Sequence, residues 1–491
     1  MRKYLTNHNI TIILLLVATY FSIFYHLGTD KIMLWDEGTY AVNAYEMYLH
    51  GNYLVKYYNG VPEMFATNPP LVCYFQVLCF KLFGPGELAV RLPSGLAALG
   101  IVLLFIRFAI KEKLGMDFAT YAVLFLISTK GYVTYHVTRN GDLDSVLIFF
   151  ITGSVIYFYK LLEYEKIKYL LVFSAFILLG FFTKGIACLL VVPSFIIYAI
   201  LKNKILYLLK IKQLYVCIFV IILLIFSYYG LRELKTPGYI SFMLQSEIGR
   251  WYTDGAVHNH PWYFFIQQMY DRDFKYFIYL IIGLIPFWFI LPKEHFFRKY
   301  GTIWLLSFVC FITVISSSKT KLEWYEAPAY PMLSIFGALG LKSIISYVNF
   351  PRLTNYLAKS AFLIFIFALP FSEIIYANQN PEISWHDIHF GEALKRYHKL
   401  KNVPRKFEML TAGYNGHALF YKMLYNDKFN YEINIRDITD NIGIVPNKVY
   451  MFTHPSIPPY LRDNFNYEVY MDSGGMMVVK ILSYKNINKV N

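Results

Sequence analysis

The stretch ELAVRLPSGLAALGIVLLFIRFAIKEK, residues 87–113, decides the fold class. Its apolar run is long enough to cross the hydrocarbon core of a bilayer, which takes about 20 residues. A basic cluster with Lys111 and Lys113 ends the run, and such clusters stay on the cytoplasmic side of a membrane. This stretch therefore predicts a transmembrane helix whose C-terminal end lies inside.

The same pattern recurs along the 491-residue chain and predicts a mainly α-helical, polytopic membrane protein. The composition agrees, since 57% of the residues are hydrophobic and only 16% are charged, against about 25% charged in soluble proteins. Eleven spans are predicted, near residues 10–27, 87–108, 117–136, 143–161, 168–183, 186–201, 214–230, 276–291, 301–317, 327–346 and 359–376. The net charge of +14 sits in clusters between these spans, which indicates membrane topology and no nucleic-acid partner.

With a cytoplasmic N-terminus, two long segments fall outside, 28–86 and 231–275. Within the first, residues 69–84 are apolar but short, which predicts a helix in the outer interface. The polar tail alternates strand-like and helix-like patterns. We therefore expect a transmembrane domain over 1–376 and a small external α/β domain over 377–491.

Four carboxylates lie where spans meet the outer surface. Asp36 and Glu37 follow the first span, and Asp142 and Asp144 begin the fourth. Acidic residues at a membrane boundary are costly and are usually functional. All four are therefore candidate catalytic residues, and Asp36 and Glu37 remain competing candidates for a general base.

Basic and aromatic residues gather at the same outer level. The candidates for binding a phosphate are Arg139, Lys184, Arg250, Lys321 and Tyr325. Lys and Arg are the usual partners of phosphate groups in proteins. His258 and His260 are candidate ligands of a divalent metal ion.

Several of these residues belong to motifs that resemble one known superfamily. The stretches LWDEGTYAVNAYEMYLHGNY (34–53), NPPLVCYF (68–75) and FGPGELAVRLPS (83–94) are similar to the lipid-linked-sugar glycosyltransferases of the GT-C superfamily. The nearest groups are the undecaprenyl-phosphate aminoarabinose:lipid A transferases and the dolichyl-phosphate-mannose protein mannosyltransferases. Further matches follow in family order over about residues 1–345: RNGDLDSVLIFF, FFTKG, EIGR with HPWYFF, and SKTKLEWYEAPAYP.

The resemblance implies roles for individual residues. Asp36 matches the acid at the family's reaction centre, and Asp144 resembles the matching acid of the second outer loop. Lys184, Arg250 and Lys321 match the basic positions that grip the polyprenyl phosphate, and His260 stands where the family often has histidine. Thr67 and Asn68 replace the Glu-Lys of the aminoarabinose transferases, which separates this chain from their sugar, metal site and acceptor.

We therefore expect a hexosyl- or pentosyltransferase of a bacterial inner membrane, with its active site facing the periplasm. It would move a sugar from a polyprenyl-phosphate donor to a lipid A-like lipid or a protein acceptor, with inversion. Asp36 would take the acceptor's proton, while cations and a divalent metal would stabilise the leaving phosphate. The alternative is a transporter or flippase of a lipid-linked saccharide, which predicts ionisable residues at the bilayer midplane.

Overall fold

The computed structural model describes residues 2–133, 136–252, 258–347, 352–381, 383–438, 443–453, 457–473 and 475–485. Up to residue 379 the described residues are mainly helical. These helices are α1 (Arg2–Thr19), α2 (Asp36–His50), α3 (Leu71–Phe83), α4 (Glu87–Lys111), α5 (Gly115–Ile127), α6 (Lys130–Val133), α7 (Asp144–Tyr164), α8 (Ile167–Lys184), α9 (Val192–Leu201), α10 (Ile205–Lys210), α11 (Lys212–Lys235), α12 (Tyr239–Tyr252), α13 (Phe264–Gln268), α14 (Ile278–Ile290), α15 (Phe296–Ser316), α16 (Ala329–Tyr347) and α17 (Arg352–Gln379). A small hairpin, β1 (Tyr57–Tyr58) and β2 (Val61–Pro62), lies between α2 and α3.

Within the described residues, seven helices are long and apolar enough to cross a membrane. They are Glu87–Lys111, Asp144–Tyr164, Ile167–Leu201, Lys212–Lys235, Phe296–Ser316, Ala329–Tyr347 and Ser360–Gln379. An eighth is reached if Phe264–Asp273 and Ile278–Ile290, which are bent by 119°, form one broken span. The predicted count of eleven is not confirmed. Two of the predicted spans correspond to shorter apolar helices, His8–Phe24 and Gly115–Ile127, and two others fall in the single run Ile167–Leu201.

The chain reverses inside that run, at the end of α8. The thiol of Cys188 lies 3.7 Å from the carbonyl oxygen of Ile177, whereas 11 residues of continuous helix would separate them by roughly 16 Å. Gly185 makes the turn with a φ of +56°, a conformation that costs glycine little. The 3-10 segment Gly185–Val191 then returns alongside α8. This turn places Lys184 at the tip of a hairpin.

Burial separates central helices from peripheral ones. Of the apolar windows, 89% of α7 and 83% of α16 are buried inside the protein, against 11% of α11 and 17% of α17. The exposed side chains of α11 and α17 are nevertheless apolar, among them Phe219, Phe226 and Phe365. A helix that is apolar on its exposed face needs hydrocarbon around it, so α11 and α17 lie at the lipid boundary.

The C-terminal segment forms a mixed sheet with three helices. Its elements are α18 (Trp385–His398), β3 (Lys406–Thr411), α19 (Gly416–Phe429), β4 (Glu432–Asp437), β5 (Val449–Phe452), α20 (Ile457–Asn464), β6 (Phe465–Ser473) and β7 (Met476–Tyr484). The strand order is β4-β3-β5-β7-β6, and β3 is parallel to both of its neighbours, whereas β7 is antiparallel to both of its own. Because side chains alternate along a strand, Met409 packs towards α18 and α19, and Leu410 packs towards α20.

This segment is packed directly on α2. Buried residues of α2, α3, α18 and α19 share one apolar cluster. At its edge the backbones of Gly38 in α2 and Gly416 in α19 approach so closely that a Cβ on Gly38 would lie 2.8 Å from the backbone nitrogen of His417. Polar contacts surround the apolar cluster: the Tyr45 hydroxyl donates to Asp427 at 2.8 Å, and Lys428 donates to the Pro85 carbonyl at 2.9 Å. The sheet and the first outer segment therefore behave as one packed unit.

We expect Gly38→Ala to destabilise this contact, because the added methyl group meets backbone that cannot rotate away. Overpacking of this kind costs about 1–3 kcal/mol. Thermal unfolding of the purified protein in detergent measures the effect. The control is Gly230→Ala in α11, where a Cβ meets nothing within 4 Å; equal melting temperatures for the two variants would contradict the predicted close approach.

Candidate active site

The site is built around the first turn of α2, which begins at Asp36. Carboxylates are favourable at this end of a helix because the unpaired amide groups give it a partial positive charge. The Glu37 side chain is buried, whereas Asp36 is only half-buried. The two neighbouring acids therefore have different environments.

Glu37 is held by a buried hydrogen-bond network. Its Oε1 accepts from Nε of Arg91 at 2.6 Å and from the backbone nitrogen of Gly141 at 2.8 Å. Its Oε2 accepts from Nη2 of Arg91 and the backbone nitrogen of Met33, both at 2.9 Å. A carboxylate has about four acceptor positions, and all of them are used here. This geometry argues for Asp36, not Glu37, as the proton acceptor.

Arg91 extends the network to the chain that precedes α2. It donates to the carbonyl oxygens of Leu27, Asp30 and Lys31 at 3.1, 2.9 and 2.8 Å. One buried ion pair thus ties α4, the first outer segment and the loop before α7 together. That loop brings the second acidic pair to the site.

Asp142 lies in this loop beside His136. The Nδ1 atom of His136 and Oδ2 of Asp142 are 2.9 Å apart, and the His136 ring stacks on Trp324 with 3.8 Å between ring centroids. Burial raises the pKa of Asp142 above its ordinary value, although the bond to His136 opposes the rise. Burial lowers the pKa of His136, but the hydrogen bond and charge of Asp142 outweigh it and the pKa is raised.

Three ligand atoms converge at this point. One atom each from Asp36, His136 and Asp142 lies within 4.8 Å of the others. Two carboxylates and an imidazole are a donor set that suits several divalent cations. Within the described residues, His258 and His260 join no such group of three, so the histidine that meets the acids is His136.

Asp144 makes a separate ion pair with Lys184. The ammonium group of Lys184 donates to both carboxylate oxygens of Asp144 at 2.7 Å, and it lies 5.4 Å from the centre of the Tyr325 ring. All three side chains line a cavity of about 90 Å³ whose wall includes Leu147, Phe311 and Ile315. The cavity is thus lined both by a charged pair, Asp144 and Lys184, and by apolar side chains.

Lys321 is buried against the segment that carries the two outer histidines. Its Nζ donates to the carbonyl oxygen of His260 at 2.9 Å and to that of Ser318. Its backbone nitrogen donates to the carbonyl oxygen of His258 at 3.0 Å. Burial lowers the pKa of Lys321. His260 stacks on Phe264. These contacts join the loop after α15 to the segment before α13.

The remaining two predicted cations are placed differently. Arg139 donates to the carbonyl oxygen of Ile23 at 2.8 Å, towards the end of α1, and burial lowers its pKa to about 10. Arg250 lies in α12, but its side chain is outside the described part of the chain. Its predicted contact with phosphate therefore stays a prediction.

Known proteins share both the sequence pattern and the fold. A family model described as dolichyl-phosphate-mannose-protein mannosyltransferase matches residues 67–229. A protein of Aquifex aeolicus is 25% identical over 337 residues, which are 67% of this chain and 64% of the relative. An undecaprenyl phosphate-alpha-4-amino-4-deoxy-L-arabinose arabinosyl transferase of Shewanella sediminis is 25% identical over 353 residues, 67% of this chain and 59% of the relative. The chain thus spans about three fifths of the length of these curated relatives.

Among solved structures, ArnT from Cupriavidus metallidurans bound to undecaprenyl phosphate superposes with a TM-score of 0.71 at 14% identity. The match covers 96% of this chain and 97% of ArnT. The chain is therefore similar to membrane glycosyltransferases over part of its sequence and shares the fold of ArnT. Its helical part and its C-terminal sheet both fall inside the superposed region.

Two residues of this site were not predicted from the sequence. Arg91 lies in the motif FGPGELAVRLPS, but nothing in the local pattern pairs it with Glu37, 54 residues away. His136 precedes Asp142 by six residues, and this closeness to the second acidic pair was the available signal. Only the Arg91 pairing was hidden, because its partner is set by the fold.

We expect Glu37→Gln to destabilise the protein strongly, because it leaves the buried Arg91 guanidinium without its counter-charge. Breaking such a pair costs about 3–5 kcal/mol. The matched control is Glu165→Gln, which removes an exposed pair with Lys204 worth at most about 1 kcal/mol. Thermal melts of both variants give the measurement, and a Glu37→Gln melt no lower than that of the control would show that the pair is not structural.

Proposed function

We propose that this chain transfers a sugar from a polyprenyl-phosphate donor to an acceptor hydroxyl on the outer face of the bacterial inner membrane. The observation that carries the proposal is the Asp144–Lys184 pair in a cavity with apolar walls. A cation beside an apolar wall suits a phosphate attached to a long lipid. The convergence of the Asp36 and Asp142 carboxylates at His136 supports the same reaction.

Lys184 would bind the leaving phosphate. Two of its hydrogen bonds go to Asp144, and an ammonium group has three donors, so a third remains for a phosphate oxygen. Asp144 would hold Lys184 at the tip of the α8 hairpin. The similarity of the chain's fold to that of ArnT agrees with this role, because the ArnT structure contains undecaprenyl phosphate.

Asp36 would act as the general base. The acceptor's O–H proton moves to the Asp36 carboxylate while its oxygen forms a bond to the anomeric carbon. The bond between that carbon and the phosphate oxygen breaks on the opposite face, so the configuration inverts and polyprenyl phosphate leaves. Glu37 would keep the first turn of α2 in place.

Asp36, His136 and Asp142 would also be the residues that hold a divalent cation, because their ligand atoms converge within 4.8 Å. Such an ion, when bound, would supply Lewis-acid stabilisation of negative charge at this end of the site. The His136–Asp142 hydrogen bond would orient both ligands towards Asp36.

The basic loops support a cytoplasmic N-terminus and an external sheet domain. In that orientation the Asp36 and Lys184 ends of their helices face the periplasm. A lipid-linked donor also fits the location, because the carrier lies in the same membrane. The transferred sugar would be a hexose or a pentose, and the acceptor would be a lipid or a protein.

We expect Asp36→Asn to reduce transfer on the order of 100-fold to 10,000-fold, because an amide cannot accept the acceptor's proton. The assay incubates purified variants with undecaprenyl-phosphate-linked sugars and bacterial membrane extract. Its readout is release of undecaprenyl phosphate, which is common to every sugar and acceptor. Asp36→Asn should still bind the donor, whereas Lys184→Ala should bind it about tenfold to a hundredfold more weakly.

The matched control is Asp117→Asn, which removes an exposed carboxylate paired with Lys342 and should release lipid at the wild-type rate. Normal release by Asp36→Asn would refute its role as the base. If the wild-type chain releases no lipid phosphate but moves a lipid-linked saccharide across liposomes, the transporter hypothesis replaces this proposal.

A further inference from the structure

Three aromatic rings form a stack next to the proposed base. Trp35 immediately precedes Asp36, and its ring is nearly parallel to that of Tyr414, with centroids 5.6 Å apart and 9° between the planes. Tyr58 is nearly parallel to Tyr414 as well, at 5.9 Å and 17°. We name Trp35, Tyr58 and Tyr414 the aromatic platform. Its members come from the start of α2, the β1–β2 hairpin and the loop after β3.

The platform is fixed by contacts that the fold already needs. The Tyr414 hydroxyl is hydrogen-bonded to the Thr39 hydroxyl, and the close approach of Gly38 and Gly416 sets the height of its loop above α2. The hairpin is anchored by Asn43, whose side chain donates to the Tyr57 carbonyl at 2.8 Å. The rings are therefore held in position before any ligand arrives.

The platform is also open and close to the reacting group. Trp35 is 58% exposed although its ring stacks on that of Tyr414. Burial raises the pKa of the Tyr414 hydroxyl, and the Asp36 carboxylate adds to the rise, so this hydroxyl lies within electrostatic range of the proposed base. An isolated exposed tryptophan needs no explanation. Here the exposed Trp35 ring ends a stack of three rings beside a half-buried carboxylate, which gives a flat ligand an aromatic surface to lie on.

The chemistry of the rim decides which ligand fits. The Trp35 ring offers an apolar face, and the hydroxyls of Thr39, Tyr58 and Tyr414, which are hydrogen-bonded to one another, place polar groups beside it. A pyranose ring has the complementary surface, with C–H groups on its faces and hydroxyls on its edge. An acyl chain would meet polar groups here without hydrogen-bonding to them.

We propose that the aromatic platform binds a sugar ring of the acceptor and presents one of its hydroxyls to Asp36. The acceptor is then a saccharide, and the C-terminal segment contributes Tyr414 to its binding site. This inference rests on the proposed function for the role of Asp36. The sugar binding itself is measurable without any donor or turnover.

The test is saturation-transfer NMR on the full chain in lipid nanodiscs, without sugar-based detergent. The probes are the methyl glycosides of glucose, mannose and N-acetylglucosamine, with sorbitol as the open-chain control. We expect saturation on the ring C–H protons of at least one glycoside and none on sorbitol. Trp35→Ala and Tyr414→Ala should each weaken binding about twofold to tenfold, the range of one aromatic stack. Trp35→Tyr should retain it.

The matched control is Trp262→Ala, which removes a 74% exposed tryptophan from another outer segment and should leave saturation unchanged. If Tyr414→Ala lowers the melting temperature, Tyr58→Ala provides the second variant. Saturation that survives Trp35→Ala and Tyr58→Ala would overturn the proposal, as would saturation of a serine-containing peptide in place of every glycoside. Tighter binding of an octyl than of a methyl glycoside would indicate a glycolipid acceptor; equal binding would indicate a soluble or protein-linked glycan.

Failure of the proposed function would look different. In that case the wild-type chain releases no undecaprenyl phosphate, yet the glycosides still bind and the platform variants still weaken them. Loss of the platform effect with normal lipid release would instead remove only this inference.

Discussion

The buried ion pair between Glu37 and Arg91 is the constraint on which the site depends. It fixes the first turn of α2, the chain before it and the backbone of Gly141 with hydrogen bonds of 2.6–3.1 Å. Replacing such a pair by apolar residues can be neutral, but removing one partner is costly. The pair fixes the positions of Asp36 and Asp142, because these residues lie on the two segments that Glu37 holds together.

Because of this constraint, the four acidic residues have different partners. Glu37 uses its acceptor positions within the fold, and Asp144 is paired with Lys184. Asp36 and Asp142 meet at His136 and are left at the converging point. In the proposed reaction, this arrangement would separate Asp36, which would accept the proton, from Asp144, which holds the cation proposed to bind the phosphate. The C-terminal sheet completes the surroundings through the aromatic contact of Tyr414 with Trp35.

Much of this arrangement could be predicted from the sequence, because local sequence patterns determine it. Apolar runs and basic clusters indicated the helical membrane class, and the Lys-Gly turn indicated where Lys184 lies. The pairing of Glu37 with Arg91 could not be predicted, since a contact across 54 residues leaves no local signal. The count of eleven spans is not confirmed by the length criterion, because among the described residues α5 is short and α8 and α9 fall in one apolar run. The role of Tyr414 was hidden because docking of the tail depends on a close backbone approach at Gly38.

The central claim is that the lipid carrier's phosphate binds at Lys184, beside the acids that Glu37 and Arg91 position. A cryo-electron microscopy structure of the full chain with undecaprenyl phosphate tests it most directly. The account predicts phosphate density within hydrogen-bonding distance of the Lys184 ammonium group, with the prenyl chain along Phe311 and Ile315. Phosphate density bound instead at the separate cavity lined by Lys130, Arg272 and Lys275, with Lys184 still paired only to Asp144, would contradict it.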